Sequence, residues 1–169
     1  FWKIPEGGRF FVTNFAMGAL GYGLPAAIGA SYALPEGSTV INFTGDGSLG
    51  FVTGEMETLA RLGKNIKVVL FNNGNFGWIR GTNHFSFGGP DFSPSFSKTN
   101  YVSLANSFGI SGFRASTLAE LNSALEGLFK TSGPALLELM VPSPEQWVPP
   151  VPDWAQKAKG SGRDCDYWG

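Results

Sequence analysis

The sequence is poor in the residues that most often carry metal and redox chemistry. Among its 169 residues there is one cysteine, Cys165, and one histidine, His84. A lone cysteine excludes an internal disulfide, a cysteine-rich zinc site and a cysteine-ligated iron–sulfur cluster built by this chain alone. It fits a reducing compartment, and the cytoplasm is the expected location. Charge is also scarce: Asp, Glu, Lys and Arg make up 15% of the chain, with a net charge of −1. There is no Lys/Arg run or basic stripe, so nucleic acid is not an expected partner. So weakly charged a surface is compatible with cover by other subunits or with plain solvent exposure. No run approaches the roughly 18 apolar residues of a membrane span. The opening FWKIPEGGRF has none of the zones of a signal peptide. It also lacks an initiator Met, so a processed piece or a cut-down subunit is expected. What is abundant is apolar: 43% hydrophobic residues, with 15 Phe and 5 Trp. That composition folds, and the length suits one domain.

Residues 1–20 read as irregular. The stretch GYGLPAAIGASYAL (21–34) predicts a helix, with Pro25 in its first turn. STVINFTG (38–45) and NIKVVLFNN (65–73) predict buried strands, rich in β-branched and aromatic residues. Between them SLGFVTGEMETLARLG (48–63) predicts a helix stopped at Gly63, with Met56, Leu59, Ala60 and Leu62 on its apolar face. Residues 74–100 read as a long glycine-rich, aromatic loop, a length usually tied to function or disorder. A helix (101–109), a strand (111–116), a helix capped by Thr117 with Glu120 three residues on (117–133), and a strand (134–142) follow. The tail 143–169 shows no period. Strands alternating with helices predict an α/β fold, a parallel sheet with helices on both faces. In such sheets ligands bind at the carboxyl ends of the strands.

Two of those ends carry unusual groups. GDG (45–47) closes the first strand, and NN (72–73) closes the second after 24 intervening residues. A carboxylate, Asp46, and an amide oxygen, Asn73, are hard ligands that suit Mg²⁺ or Ca²⁺ better than zinc or copper. Gly45 and Gly47 let backbone approach a phosphate closely. Ser48 opens a helix whose amides favour an anion. The bland reading is two strand-capping turns, Asp–Gly and Asn–Gly. Gly21-x-Gly23-x-x-Ala26 matches a loose dinucleotide fingerprint, but no clear strand precedes it and Pro25 interrupts it.

GDG, 24 residues and NN resembles the signature of thiamine-diphosphate-dependent enzymes. Upstream, GALGYGLPAAIGASYALPEG resembles the matching segment of the acetolactate synthase and 2-oxo acid decarboxylase group. The resemblance runs from about residue 10 to 142. It implies a diphosphate-binding domain over 1–142, short at its N-terminus, in a thiamine-diphosphate-binding fold. It implies thiamine diphosphate and Mg²⁺ as cofactors. Asp46, Asn73 and the backbone carbonyl of Asn75 would bind the metal. Gly45, Gly47, Ser48, Phe76 and Gly77 would contact the cofactor. Leu20 would press the cofactor into a bent shape, and the Gly18 carbonyl would accept a hydrogen bond from the aminopyrimidine, which makes both catalytic candidates. An ordinary core leucine is the alternative for Leu20.

Substrate choice is expected just after the second motif. Trp78, Ile79 and Arg80 are the pocket candidates, with Arg80 pairing a substrate carboxylate or merely solvated. Some decarboxylases of the family carry a glutamate where this chain has Ile79. Acetolactate synthases have an aliphatic residue there, but usually a tryptophan where this chain has Thr82. His84 is either a proton shuttle or a surface histidine. The tail would be an active-site lid or a subunit contact. The resemblance implies carboligation of a small 2-oxo acid first, and decarboxylation of the two-subunit phosphonopyruvate or sulfopyruvate type second. A non-catalytic scaffold subunit is the alternative from another class. In the family the activating glutamate lies in a separate pyrimidine-binding domain. The expected partner is therefore a polypeptide carrying that domain, in a hetero-oligomer with two or more copies of each chain.

Overall fold

A computed structural model describes residues 10–14, 16–88, 94–148, 150–160 and 162. Cys165, most of FWKIPEGGRF, residues 89–93 of the expected loop and the end of the tail lie outside the described residues. Four strands form one all-parallel sheet: β1 (Val40–Gly45), β2 (Ile66–Asn72), β3 (Ser111–Ala115) and β4 (Ala135–Met140), in the order β1-β2-β4-β3. β2 and β4 take the middle because they are apolar on both faces. β1 and β2 pair in register from Val40 opposite Ile66 to Gly45 opposite Phe71, so both motifs emerge side by side.

Helices cover both faces, as expected. On one face α1 (Gly23–Ala33), α3 (Glu55–Leu62) and α5 (Tyr101–Ser107) bury Leu24, Ile28, Met56, Leu59 and Ala105, with Ile110 just past α5, against Ile66, Val68, Leu70 and Leu136. On the other, α6 (Leu118–Lys130) packs Ala124 and Leu128 on Val69, Ala115, Ala135 and Leu137. Thr117 caps α6 by accepting from the Glu120 N–H, and the Glu120 carboxylate accepts from the Ser116 N–H. Gly63 ends α3 at φ 60°, the left-handed geometry that glycine adopts without strain. Lys67 is buried at the amino end of β2, where its ammonium donates to the carbonyls of Thr131 (2.7 Å) and Gly133 (2.6 Å) just past α6. Burial lowers its pKa.

Four expectations need correction. The predicted 48–63 helix is two short helices, α2 (Asp46–Gly50) and α3, joined by a turn. The Thr53 hydroxyl donates to the Leu49 carbonyl there, and a glycine sits on each side. β1 is not buried on both faces: Ile41 and Phe43, with Phe71 of β2, are about 40% exposed because α6 lies over β3 and β4. The 74–100 segment is no plain loop. It contains α4 (Gly77–Thr82), then a π-helical turn (Asn83–Phe87).

The tail carries α7 (Pro152–Gly160), which buries Trp154, Ala155 and Ala158. Trp154 stacks on Phe85 (5.6 Å between centroids) and lies 4.9 Å from Trp78. A Cβ on Gly81 would come within 2.6 Å of the Trp154 ring, so Gly81 is what lets α7 dock. Gly81→Ala is expected to weaken that docking by about 1–3 kcal/mol through overpacking. Amide exchange in α7 should then speed up about 5- to 150-fold. Unchanged protection of α7 would remove this account of the glycine. Among the described residues no helix is long and apolar enough to cross a membrane.

Candidate functional site

The site is built where β1 and β2 end. Leaving β1, the chain turns directly into α2, which places Asp46 in its first turn at 3% exposure. Asp46 Oδ1 accepts from the Gly47 N–H (2.9 Å) and Oδ2 from the Gly74 N–H (2.7 Å). The two motifs are thus tied together through the carboxylate. Gly74 sits at φ +72°, the conformation that lets the chain reverse after Asn73. Asn73 Oδ1 accepts from the Asn75 N–H (3.2 Å), and the Asn75 amide donates back to the Asn73 carbonyl (2.7 Å).

The far end of the long segment returns to this loop. Phe76 N–H donates to the Pro94 carbonyl and Phe96 N–H to the Gly74 carbonyl, with Asn75 opposite Ser95. These bonds use the carbonyls of Pro94 and Gly74. Phe76 meets Phe96 edge-on (4.6 Å), and Phe51 lies 6.3 Å from Phe76. Asp46, Gly47, Gly50, these three rings, Thr99 and Tyr101 line a cavity of about 370 Å³.

The donor set fits a hard divalent cation. Burial holds the Asp46 carboxyl above its usual range, outweighing the backbone hydrogen bonds from Gly47, Gly74 and Asn75 that lower it. A desolvated carboxylate of this kind gains from a cation beside it. Asn75 Oδ1 is buried with no hydrogen-bond partner. Among the described residues no three His, Cys, Asp or Glu side chains cluster, so a zinc-type set is not assembled there. The space also fits a close ligand: a Cβ on Gly45 would meet only the Phe71 carbonyl, at 4.0 Å, so packing within the chain does not demand glycine there.

The remaining candidates divide. Gly18 and Leu20 lie in the turn before α1, which the Gly21 N–H anchors to the Ser48 hydroxyl (2.9 Å). Ser48 Oγ accepts that bond and keeps its proton to donate. Leu20 is 50% exposed, which overturns the core-leucine alternative. Gly77 opens α4 against Asn73. Trp78 and Ile79 are exposed at 66% and 53%, and Trp78 leans on Trp154. Arg80 is corrected: its guanidinium pairs with Glu145 of the tail and donates to Ser95 Oγ (2.9 Å), so the chain itself supplies its carboxylate. His84 is exposed on the π-helical turn with its ring edge-on to Phe85, which places it on the surface. Phe51, Phe96, Thr99 and Tyr101 were not singled out by sequence reasoning. The aromatic density of 74–100 signalled function there without saying which ring faces the cavity.

The chain is 32% identical over 163 residues to the mitochondrial acetolactate synthase catalytic subunit of Saccharomyces cerevisiae, covering 96% of this chain and 22% of that one. It is 30% identical over 155 residues to acetolactate synthase isozyme 1 large subunit of Escherichia coli, covering 91% and 27%. Among solved structures it resembles the thiamine diphosphate-dependent 4-hydroxybenzoylformate decarboxylase of Rhodococcus jostii. That match has a TM-score of 0.68 and 28% identity over 75% of this chain and 24% of that one. The chain therefore spans about a quarter of the length of these relatives. With residues 1–139 matching the thiamine pyrophosphate enzyme C-terminal TPP binding domain, the chain belongs to that family.

Proposed function

We propose that this chain forms the Mg²⁺–diphosphate half of a thiamine-diphosphate enzyme acting on a small 2-oxo acid. The reaction favoured is carboligation of the acetolactate type. The observation that carries the reading is the joining of the Asp46 carboxylate to the Asn73–Asn75 loop at two adjacent parallel strand ends. Asp46, the side chain of Asn73 and the carbonyl of Asn75 hold the cation. Gly45, Gly47, Ser48, Phe76 and Gly77 line the cofactor, with Leu20 and Gly18 on its pyrimidine side. When bound, the cofactor supplies an electron sink for cleavage beside a carbonyl. The chain's own part is to place it and to exclude water. Trp78 and Ile79 line the substrate side. Ile79 contributes no acid, which favours carboligation.

The activating glutamate comes from a pyrimidine-binding domain outside these residues, in a partner chain of a hetero-oligomer. The partly exposed apolar residues Ile41 and Phe71 on one sheet face support a larger assembly. Decarboxylation is the second reading, favoured by the likeness to a decarboxylase structure. The test is product analysis with pyruvate, using the chain alone and the assembled protein. Acetolactate from the assembly only is expected, with the isolated chain at least about 100-fold slower because the acid–base partner is missing. Acetaldehyde would select decarboxylation. Full activity of the chain alone would overturn the need for a partner.

A further inference from the structure

A second polar network lies behind the cation loop. Glu138, in the middle of β4, is fully buried. Its Oε1 accepts from the Asn72 amide (2.7 Å). Its Oε2 accepts from Arg114 Nε (2.9 Å) and Nη2 (2.7 Å), the residue directly opposite on β3. Asn72 Oδ1 in turn accepts from the Gly74 N–H (3.0 Å), the same N–H that donates to Asp46. Arg114 Nη2 also donates to Asn100 Oδ1, which caps α5 by accepting from the Ser103 N–H. The chain of bonds therefore runs from α5 through β3 and β4 to the loop that carries Asn73 and Asn75.

Glu138 is buried while Arg114 reaches solvent, and burying a carboxylate costs desolvation that offsets the pair's attraction. What the pair does supply is fixed direction. Here the last link is a side-chain amide whose two ends are both used, one by Glu138 and one by Gly74. Asn72 cannot turn over without losing both bonds. Resting on the proposed cation site, the geometry points to Glu138 as a positioning residue for it. Glu138 acts through Asn72 and touches neither cation nor cofactor. It sets the Gly74 turn, and with it the direction of the Asn73 side chain and the Asn75 carbonyl. Arg114 keeps Glu138 aimed through two hydrogen bonds to Oε2.

The test uses the assembled protein with saturating thiamine diphosphate, and Mn²⁺ as the metal probe, titrated by the electron paramagnetic resonance of free Mn²⁺. Denaturant midpoints are measured without metal in parallel. Asn72→Ala leaves the Glu138–Arg114 pair whole and cuts only the final link. It should weaken Mn²⁺ binding about 10- to 100-fold, the usual cost of losing an outer partner of a ligand. Glu138→Ala should do the same. Glu138→Gln keeps an acceptor for Asn72 and breaks the ion pair, so it should restore Mn²⁺ affinity to within about threefold while lowering the midpoint. A purely structural ion pair predicts the opposite ranking. Wild-type Mn²⁺ affinity in folded Asn72→Ala would overturn the proposal, and this variant decides if Glu138→Ala does not fold. Failure of the unsubstituted protein to bind Mn²⁺ with thiamine diphosphate would overturn the cofactor reading itself, and this inference with it.

Discussion

Asp46→Asn in the assembled protein should lose Mg²⁺-dependent binding of thiamine diphosphate by at least about 100-fold, more than the loss of an outer partner. The fold should barely respond. With no cation present, burial already disfavours the Asp46 carboxylate more than its backbone hydrogen bonds favour it. A carboxyl whose pKa is raised on folding binds its proton more tightly in the folded chain. Its contribution to stability therefore falls as pH rises through that raised range. A neutral amide removes this cost. It also breaks one of the bonds from the Gly47 and Gly74 N–H groups, a loss of up to about 1–3 kcal/mol, and smaller at Gly74, which keeps Asn72 Oδ1 as an acceptor. The two changes have opposite signs, so the metal-free midpoint should shift by no more than about 2 kcal/mol.

Ligand then separates the proteins. At a concentration 100 times its dissociation constant, Mg²⁺–thiamine diphosphate stabilises the unsubstituted protein by about 2.7 kcal/mol. A variant binding 100-fold more weakly gains about 0.4 kcal/mol. Denaturant unfolding with and without the pair of ligands reads the difference directly. Equal stabilisation of both proteins would remove Asp46 from the site.

The second large effect is expected from Gly77→Ala, a single methyl group. Gly77 opens α4, and a Cβ there would sit 2.6 Å from Asn73 Nδ2 and 3.5 Å from Pro144 Cγ. The close neighbour is the end of one side chain, so the fold can absorb the methyl by rotating Asn73. That rotation breaks the Asn75 N–H bond to Asn73 Oδ1 and turns away a proposed metal ligand. Stability should hold or rise slightly, since alanine suits a helix better than glycine by roughly 0.5–1 kcal/mol. Metal affinity should drop about 10- to 100-fold. Gly54→Ala is the control: Gly54 has right-handed backbone and open space around its Cβ direction. It should keep full affinity. Full affinity in Gly77→Ala would mean that Asn73 does not hold the cation.

Much of this site could be read in the sequence because its signals are local. Runs of β-branched and aromatic residues named β1 and β2, and the groups that end them named the loop. The Thr117 cap and the Gly63 stop were local as well. The misreadings are non-local. The Arg80–Glu145 pair joins two segments that no pattern connects. The partial exposure of β1 depends on where α6 lies across the sheet. α7 had a readable start, with Pro152 and Asp153 first and Lys157 and Lys159 last. Nine residues give too little period to stand out, and Trp154 finds its partners on the π-helical turn. Glu138 is one polar residue in the apolar stretch 134–142, and nothing nearby in sequence names Asn72 or Arg114 as its partners.

The strand order also sets a sequence of events in time. β2 pairs with β1 just upstream and then waits for β4, since Lys67 lies opposite Ala135. Such long-range parallel pairing is slow to form. During synthesis the ribosome delivers Asp46 and Asn73 early and Glu138 late. The proposed cation site would therefore be among the last parts of the nascent chain to be completed. A half-made domain, though it carries GDG and NN in full, would lack the Glu138 that the proposed site depends on.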